Sequence, residues 1–390
     1  MKILQIVPTF VPSKFGGLVT VSFNISCSLV KQWHSVTVYT TDAEIGSDRL
    51  KITEYSTTFN GIDVRYFKNL NNYFAYKFRL FLPIGFCKTA KRELKKHDII
   101  HIHDFRTILT VISSYYARKY NIPYIIQSHG SVLPFFEKQL LKQAFDVIWG
   151  NKILQNASKC IALTKTESDQ YIKMGVPEDR IVIIPNGLDL SQFSNLPERG
   201  TFRSKYGFSD KEQIVLFLGR IHKIKGIDLL IDAFSQVSEE LPHARLVIAG
   251  PDDGYLSTVW EQIQRLKLNR KPLITGPLYG RDKLEAYVDA DVYVLPSIYE
   301  AFSNTILEAW ACGTPVIVTD SCAISSIAQC AGLVVKRDPI DLAIAIKRLI
   351  LDEKLRDQCC KNGKSLINYE FNLESVITKI EGCYRQVIQT

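Results

Sequence analysis

The sequence has no run of 18 apolar residues, so it offers no segment expected to span a bilayer. Its opening residues, 1–8, lack the charged head, long apolar middle and small-residue cleavage site of a secretory leader, and read better as a buried strand. Nine cysteines include no Cys-x-x-Cys, and no histidines stand at zinc-finger spacing. With several in apolar segments (Cys160, Cys312, Cys330), they suit reduced core thiols of a cytosolic protein. No G-x-G-x-x-G follows a strand, which argues against a dinucleotide-dependent dehydrogenase. There is no recognisable nucleic-acid reading motif, no short-period repeat and no low-complexity stretch.

What is present is a globular composition, 46% hydrophobic and 23% charged over 390 residues, enough for two or three domains. Charge is unevenly shared. Residues 1–190 carry 24 lysines and arginines against 15 acidic residues, and the remainder 24 against 25. The basic half is expected to meet something anionic.

Short, nearly continuous apolar runs recur at 3–7, 36–39, 99–103, 124–127, 160–163 and 182–184, and again at 214–218, 246–249, 292–295, 316–318 and 332–335. Such runs suit strands covered on both faces of a parallel sheet. Helical patterns at 226–238 and 281–288 lie between them, which points to α/β architecture with right-handed crossovers. The series restarts after Pro185-Asn186-Gly187, across the irregular stretch 189–200. Two Rossmann-like doubly wound domains are therefore expected, 1–187 and 188–370, facing a central cleft. A last helix, within 371–390, is expected to cross back to the first domain. In such sheets ligands sit beyond the carboxyl ends of the strands.

Four segments carry candidate chemistry. Residues 300–316 place Glu300 in a loop after a strand and Glu308 on the following helix, which Ser303 or Asn304 can cap. The amides at that helix start, near Thr305 and Ile306, can hold an anion. Two glutamates eight apart also fit a glycosidase pair, or a plain loop charge and a solvated helix residue. Residues 218–228 put Arg220 and Lys225 at a strand's carboxyl end, where they reach a pyrophosphate or are simply surface cations. Gly16-Gly17 precedes a helix and fits either a phosphate approach or a turn. His101, His103 and His129 stand at strand ends. No carboxylate or cysteine pattern completes a metal site, so His101 reads as structural and His129, followed by Gly130, as a site residue. His103 and Asp104 are expected to meet an acceptor. Asp289-Ala290-Asp291 matches a D-x-D metal pattern, but capping or solvation suits it better.

Gly16-Gly17, His129-Gly130, Pro185-Asn186-Gly187-Leu188-Asp189, Arg220 with Lys225-Gly226, and Glu300-x7-Glu308 running into Ala-Cys-Gly-Thr-Pro-Val fall in one order. That order resembles the retaining glycosyltransferase family four over nearly the whole chain. The resemblance implies a GT-B fold, no metal and no other cofactor, and a nucleotide diphosphate sugar as donor, with UDP-sugars ahead of GDP-sugars. It implies that Arg220 and Lys225 bind the diphosphate, with Gly16 and Gly17 approaching it, and that Glu308 binds the ribose. Glu300 would hold the sugar's hydroxyls and His129 would contact it near C6. Thr275, Gly276 and Leu278 would hold the base. Phe302-Ser303-Asn304 stands where the family often has glycines, so the donor loop departs from the pattern. His129, Arg220, Lys225 and Glu300 are the expected catalytic residues.

The expected reaction moves a hexose or N-acetylhexosamine to a growing or lipid-linked glycan. A sugar-nucleotide epimerase or hydrolase, and a non-catalytic sugar-nucleotide-binding subunit, are the rival readings. Residues 73–96 interleave Tyr73, Phe74, Phe78, Phe81 and Phe86 with Lys77, Arg79, Lys88 and Lys91, a pattern of an anionic membrane surface or of a buried aromatic patch edged by lysines. The expected location is cytoplasmic, peripheral on the inner face of the membrane, with no nucleic-acid partner.

Overall fold

The computed structural model describes residues 1–389 apart from 14–15, 45–47, 53, 134–137 and 269. The chain forms two compact units, one of Met1–Gly187 with Leu373–Thr390 and one of Leu188–Asn372. The second runs slightly beyond residue 370 because Phe371 belongs to its core. Its ring lies 5.9 Å from that of Phe302 and 6.3 Å from that of Trp310, and its carbonyl accepts from the Leu188 amide.

The first unit holds an eight-stranded sheet of β1 (Lys2–Ile6), β2 (Ser35–Thr41), β3 (Ser56–Phe59), β4 (Ile62–Phe67), β5 (Ile99–His103), β6 (Tyr124–Gln127), β7 (Lys159–Ala162) and β8 (Ile181–Ile183). The order is β3-β4-β2-β1-β5-β6-β7-β8, parallel except for the β3–β4 hairpin. The apolar runs are buried on both faces. Ile3, Val7, Ile99 and Ile125 point to one side; Leu4, Ile6, Ile100 and Ile126 point to the other. The first of these faces is covered by helices Gly17–Lys31 and Leu373–Gln389, the latter through Val376, Ile377 and Ile380. The terminal helix thus packs on the first sheet.

The second unit holds β9 (Gln213–Leu218), β10 (Ala244–Ala249), β11 (Leu273–Gly276), β12 (Val292–Leu295), β13 (Val316–Thr319) and β14 (Gly332–Val335) in the order β11-β10-β9-β12-β13-β14. Every neighbouring pair is parallel. The expected α/β, doubly wound class therefore holds in both units. The chain reverses its direction of travel across each sheet between β1 and β5, and between β9 and β12. Crevices for ligands open at such reversals, beyond the carboxyl ends of the strands.

One sequence reading needs correction and another is narrowed. Cys330 is exposed rather than a core thiol, because it ends the short helical turn before β14. Of the two readings offered for Asp289-Ala290-Asp291, capping holds and solvation does not: Asp289 is fully buried and accepts from amides at the start of helix Thr201–Tyr206. Asp289 accepts from the Arg203 amide at 2.8 Å, and Asp291 accepts from the Ile214 amide at 2.8 Å and from the Arg203 guanidinium at 2.9 Å.

Candidate active site

The second unit brings its candidate residues to the carboxyl ends of β9 and β12. After Leu218, the chain turns through Gly219 and Arg220 into the short helical turn Lys223–Lys225. His222 caps this turn by accepting from the Ile224 amide at 3.1 Å. Gly226 then takes φ +68, and a Cβ there would lie 2.0 Å from the Pro296 carbonyl oxygen. Only glycine lets the two loops approach so closely. The Ile298 amide donates to the Ile224 carbonyl at 2.8 Å and locks the loops together. The result is an ion pair between Lys225 Nζ and Glu300 Oε2, each side chain mostly buried.

Arg220, earlier in the same loop, bonds to Asp253, and half of its side chain remains in solvent. Glu308, on helix Asn304–Cys312, meets Lys283 at 2.7 Å and the Tyr287 hydroxyl at 3.2 Å. Ser303 stands at that helix's N-cap position without capping it by its side chain, contrary to expectation. Its hydroxyl engages Thr305 Oγ1 at 2.7 Å instead, and Thr305 also meets the Tyr293 hydroxyl at 2.6 Å. Ile306 is buried just inside the helix, and Asn304 opens it. Thr275 and Gly276 end β11, where the Thr275 hydroxyl donates to the Gly276 carbonyl at 2.8 Å; Leu278 follows, buried. Burial pushes the Tyr287 and Tyr293 phenols well up, and nearby Glu308 adds to this for both, so both stay protonated.

In the first unit the candidates form a chain of rings along one face of the sheet. His101 and His103 alternate along β5 and pack as tilted rings with centres 4.1 Å apart, and His103 stacks with His129 at 5.2 Å. His101 Nδ1 lies 2.7 Å from the Tyr384 hydroxyl on the terminal helix. His103 Nε2 meets Gln5 Oε1, and His103 Nδ1 lies 2.9 Å from His129 Nε2. With the Gln5 amide so oriented, His103 carries its proton on Nε2 and accepts at Nδ1 from His129 Nε2–H. Desolvation keeps all three rings neutral: it pushes His101 and His129 down to about 3 and His103 well below its ordinary value.

His129 adopts φ +51, and helix Lys165–Lys173 holds its loop in place. Glu167 accepts from the Gly130 amide at 2.6 Å and the Leu163 amide at 2.7 Å, and the Tyr171 hydroxyl donates to Ser128 Oγ at 2.6 Å. Burial raises Glu167 to about 7 despite those two amides. Asp104, at φ +66, accepts from the Ser131 hydroxyl at 3.0 Å and so faces the same loop. Gly16 (φ +93) and Gly17 open helix Gly17–Lys31 at the end of the loop that follows β1.

Asp253, Lys283, Tyr287, Tyr293, Glu167 and Tyr171 are therefore partners of the candidate residues or their loops that motif reasoning misses. Lys283 and Tyr287 were detectable as an i, i+4 pair on one face of helix Gly280–Asp289. Among the described residues no three His, Cys, Asp or Glu side chains cluster as a metal site would require.

Two α/β units, each with polar side chains gathered at the reversal of its sheet, are matched along most of the chain by sugar-transferring enzymes of GT-B type. The family model described as Glycosyltransferase Family 4 matches residues 15–192, and the one described as Glycosyl transferases group 1 matches residues 198–366. The chain belongs to the family-four-like glycosyltransferases. It is 27% identical to an uncharacterized glycosyltransferase of Methanocaldococcus jannaschii, over 99% of this chain and 98% of that one. It is 29% identical to the alpha-monoglucosyldiacylglycerol synthase of Streptococcus pneumoniae, over 81% of this chain and 70% of that one. Anabaena HepE in complex with UDP and glucose has the same fold, with a TM-score of 0.80 at 20% identity over 99% of this chain and 100% of that chain.

Proposed function

We propose that this enzyme moves a hexose or N-acetylhexosamine, with retention of configuration and without a metal, from a nucleotide diphosphate sugar to a growing or lipid-linked glycan. The observation that carries the reading is the Lys225–Glu300 pair, pinned by Gly226 and the Ile298–Ile224 bond at the crevice of the second sheet. It sets a cation for a phosphate beside a carboxylate for sugar hydroxyls. Half-exposed Arg220 exchanges Asp253 for the diphosphate, and each such charged hydrogen bond contributes about 1.5–3 kcal/mol. Amides at the start of helix Asn304–Cys312 add to the neutralisation. Glu308 binds the ribose, with Lys283 and Tyr287 fixing its carboxylate, and the backbone at Thr275, Gly276 and Leu278 holds the base. In the first unit His129 contacts the sugar near C6, Gly16 and Gly17 approach the phosphate, and His103 and Asp104 lie toward the acceptor.

In the transfer, the bond from the anomeric carbon to the leaving phosphate oxygen breaks, and the acceptor oxygen bonds to that carbon on the same face. The acceptor's proton passes to the departing phosphate. Arg220 and Lys225 stabilise the charge that develops on the diphosphate. UDP-sugars rank ahead of GDP-sugars, supported by the UDP and glucose held by HepE, and the lipid-linked acceptor is supported by the lipid product in the pneumococcal relative's name.

The test is thermal stabilisation by UDP, GDP, ADP and CDP in the presence of a chelator. A ligand at 100 times its Kd adds about 2.7 kcal/mol. A shift with one base that Lys225→Ala abolishes is the expected result. No shift with any of the four, in a folded protein, overturns the donor site.

A further inference from the structure

Residues 68–155 hold 14 lysines and arginines against 5 acidic residues, whereas the rest of residues 1–190 is balanced at ten of each. Of the 25 large apolar side chains exposed among the described residues, 13 fall between positions 70 and 149, one fifth of the chain. Excess positive charge and exposed apolar side chains therefore coincide along the chain. Soluble surfaces rarely keep such patches without a partner.

The segments form one surface. Lys138 Nζ lies 4.8 Å from the centre of the Phe78 ring and bonds to the Lys77 carbonyl, joining helix Asn72–Phe78 to helix Gln139–Phe145. A cavity of about 320 Å³ joins Cys87, Tyr115 and Tyr116 to Ile148 and Trp149. The chain continues from helix Gln139–Phe145 into the wide helical turn Asp146–Gly150. Asp146 points inward there, in a buried pair with Arg106 at 2.7 Å, while Val147, Ile148 and Trp149 face solvent. Leu140 and Leu141 precede them, 81% and 65% exposed. The membrane pattern in the sequence is thus only partly placed at residues 73–96: Phe81 and Phe86 are core residues, and the turn at 146–150 takes their place.

We propose that this face of the first unit, from helix Asn72–Phe78 to the turn Asp146–Gly150, docks on an anionic lipid bilayer. Aromatic and aliphatic side chains enter the headgroup boundary while the lysines between them meet lipid phosphates, each cation near the surface adding attraction that salt screens. A second copy of the chain is disfavoured as the occupant, because a self-complementary contact would oppose two surfaces of the same sign. The inference assumes nothing about the transfer reaction.

The test is co-sedimentation of the full chain, without donor or acceptor, with vesicles of phosphatidylcholine alone or mixed with phosphatidylglycerol. Binding to the anionic vesicles only, weakened about tenfold or more by Leu140→Ser with Leu141→Ser, is the expected result. Lys77→Glu with Lys138→Glu, at other positions on the face, is expected to weaken it to a similar degree. Both leucines are exposed, and an unchanged melting temperature shows that the variant folds. Equal sedimentation with the two vesicle types, sedimentation with neither, or full binding by both variants overturns the proposal. So does a stable dimer in solution that the serine variant dissociates, which would assign the face to a second copy.

Discussion

The two sheets solve the same positional problem with opposite chemistry. At the reversal in the second sheet, Lys225, Arg220 and Lys283 are each paired with a carboxylate. At the reversal in the first, three imidazoles are kept neutral and bonded to uncharged partners. Charge gathers where the unit is proposed to hold a diphosphate, and neutral donors and acceptors gather where a sugar's hydroxyls are proposed to lie. A mostly buried cation paired with a carboxylate is held in place, its desolvation already met in the folded protein, and can exchange that carboxylate for a phosphate. A buried neutral histidine cannot neutralise a phosphate but can orient a hydroxyl.

The sharpest way to break this contrast is Lys225→Ala. It removes the cation and leaves Glu300 facing the proposed diphosphate unpaired, so turnover is expected to fall about 100-fold or more, a loss of roughly 3 kcal/mol of charge stabilisation. Turnover within threefold of wild type would remove Lys225 from the site. Gly226→Ala tests the geometry under the same pair. Alanine at φ +68, with its Cβ 2.0 Å from the Pro296 carbonyl, must push the two loops apart. The expected cost is about 2–3 kcal/mol of stability, with an activity loss that exceeds what the stability change explains. A crystal structure of the variant with the Lys225–Glu300 pair intact would sink this reading.

Much of this was legible in the sequence, for physical reasons. Buried parallel strands need continuous apolar runs, so β5, β6, β12 and β14 were found with their bounds, Lys225 and His129 were placed at strand ends, and Glu300 in the loop after a strand. The β3–β4 hairpin was not found. β3 is exposed along its whole length and β4 alternates polar with apolar residues, so neither shows a buried run. The Asn60-Gly61 pair, with both residues at positive φ, was the available signal. Partners across the sheet, such as Asp253 for Arg220 and Gln5 for His103, depend on strand order, which periodicity does not encode.

Acid titration separates the neutral chain from the charged pairs. Neutral His101, His103 and His129 contribute stability that is full above about pH 6.5 and lost as pH falls from there toward their depressed folded values, about 3 for His101 and His129. Glu167 runs the other way: its folded value of about 7 lies above the ordinary 4.5, so its share is full below 4.5 and lost as pH rises toward 7. Between pH 6.5 and 5 the three histidines outweigh the one carboxyl, and this cluster is expected to cost about 3 kcal/mol. Glu167→Gln removes the opposing share and is expected to steepen the acid loss in denaturation experiments. An equal slope in both proteins would place Glu167 outside the linkage.

The smallest expected effect tests how far the histidine chain reaches. The Tyr384 hydroxyl is the partner of His101 Nδ1, and both groups are fully buried. Tyr384→Phe keeps the ring against the core and removes only that bond, leaving a buried nitrogen without its partner, which is expected to destabilise the first unit by about 1–2 kcal/mol. The chain from Tyr384 reaches His129 through the tilted ring contact of His101 with His103, which transmits position and no proton. KM for the donor sugar is therefore expected to stay within about twofold of wild type, since a single neutral hydrogen bond at this remove is worth less than half a kcal/mol at the site. A change in KM much larger than the change in melting temperature would show instead that the terminal helix sets the orientation of His129, and the boundary between scaffold and site would have to move to include residue 384.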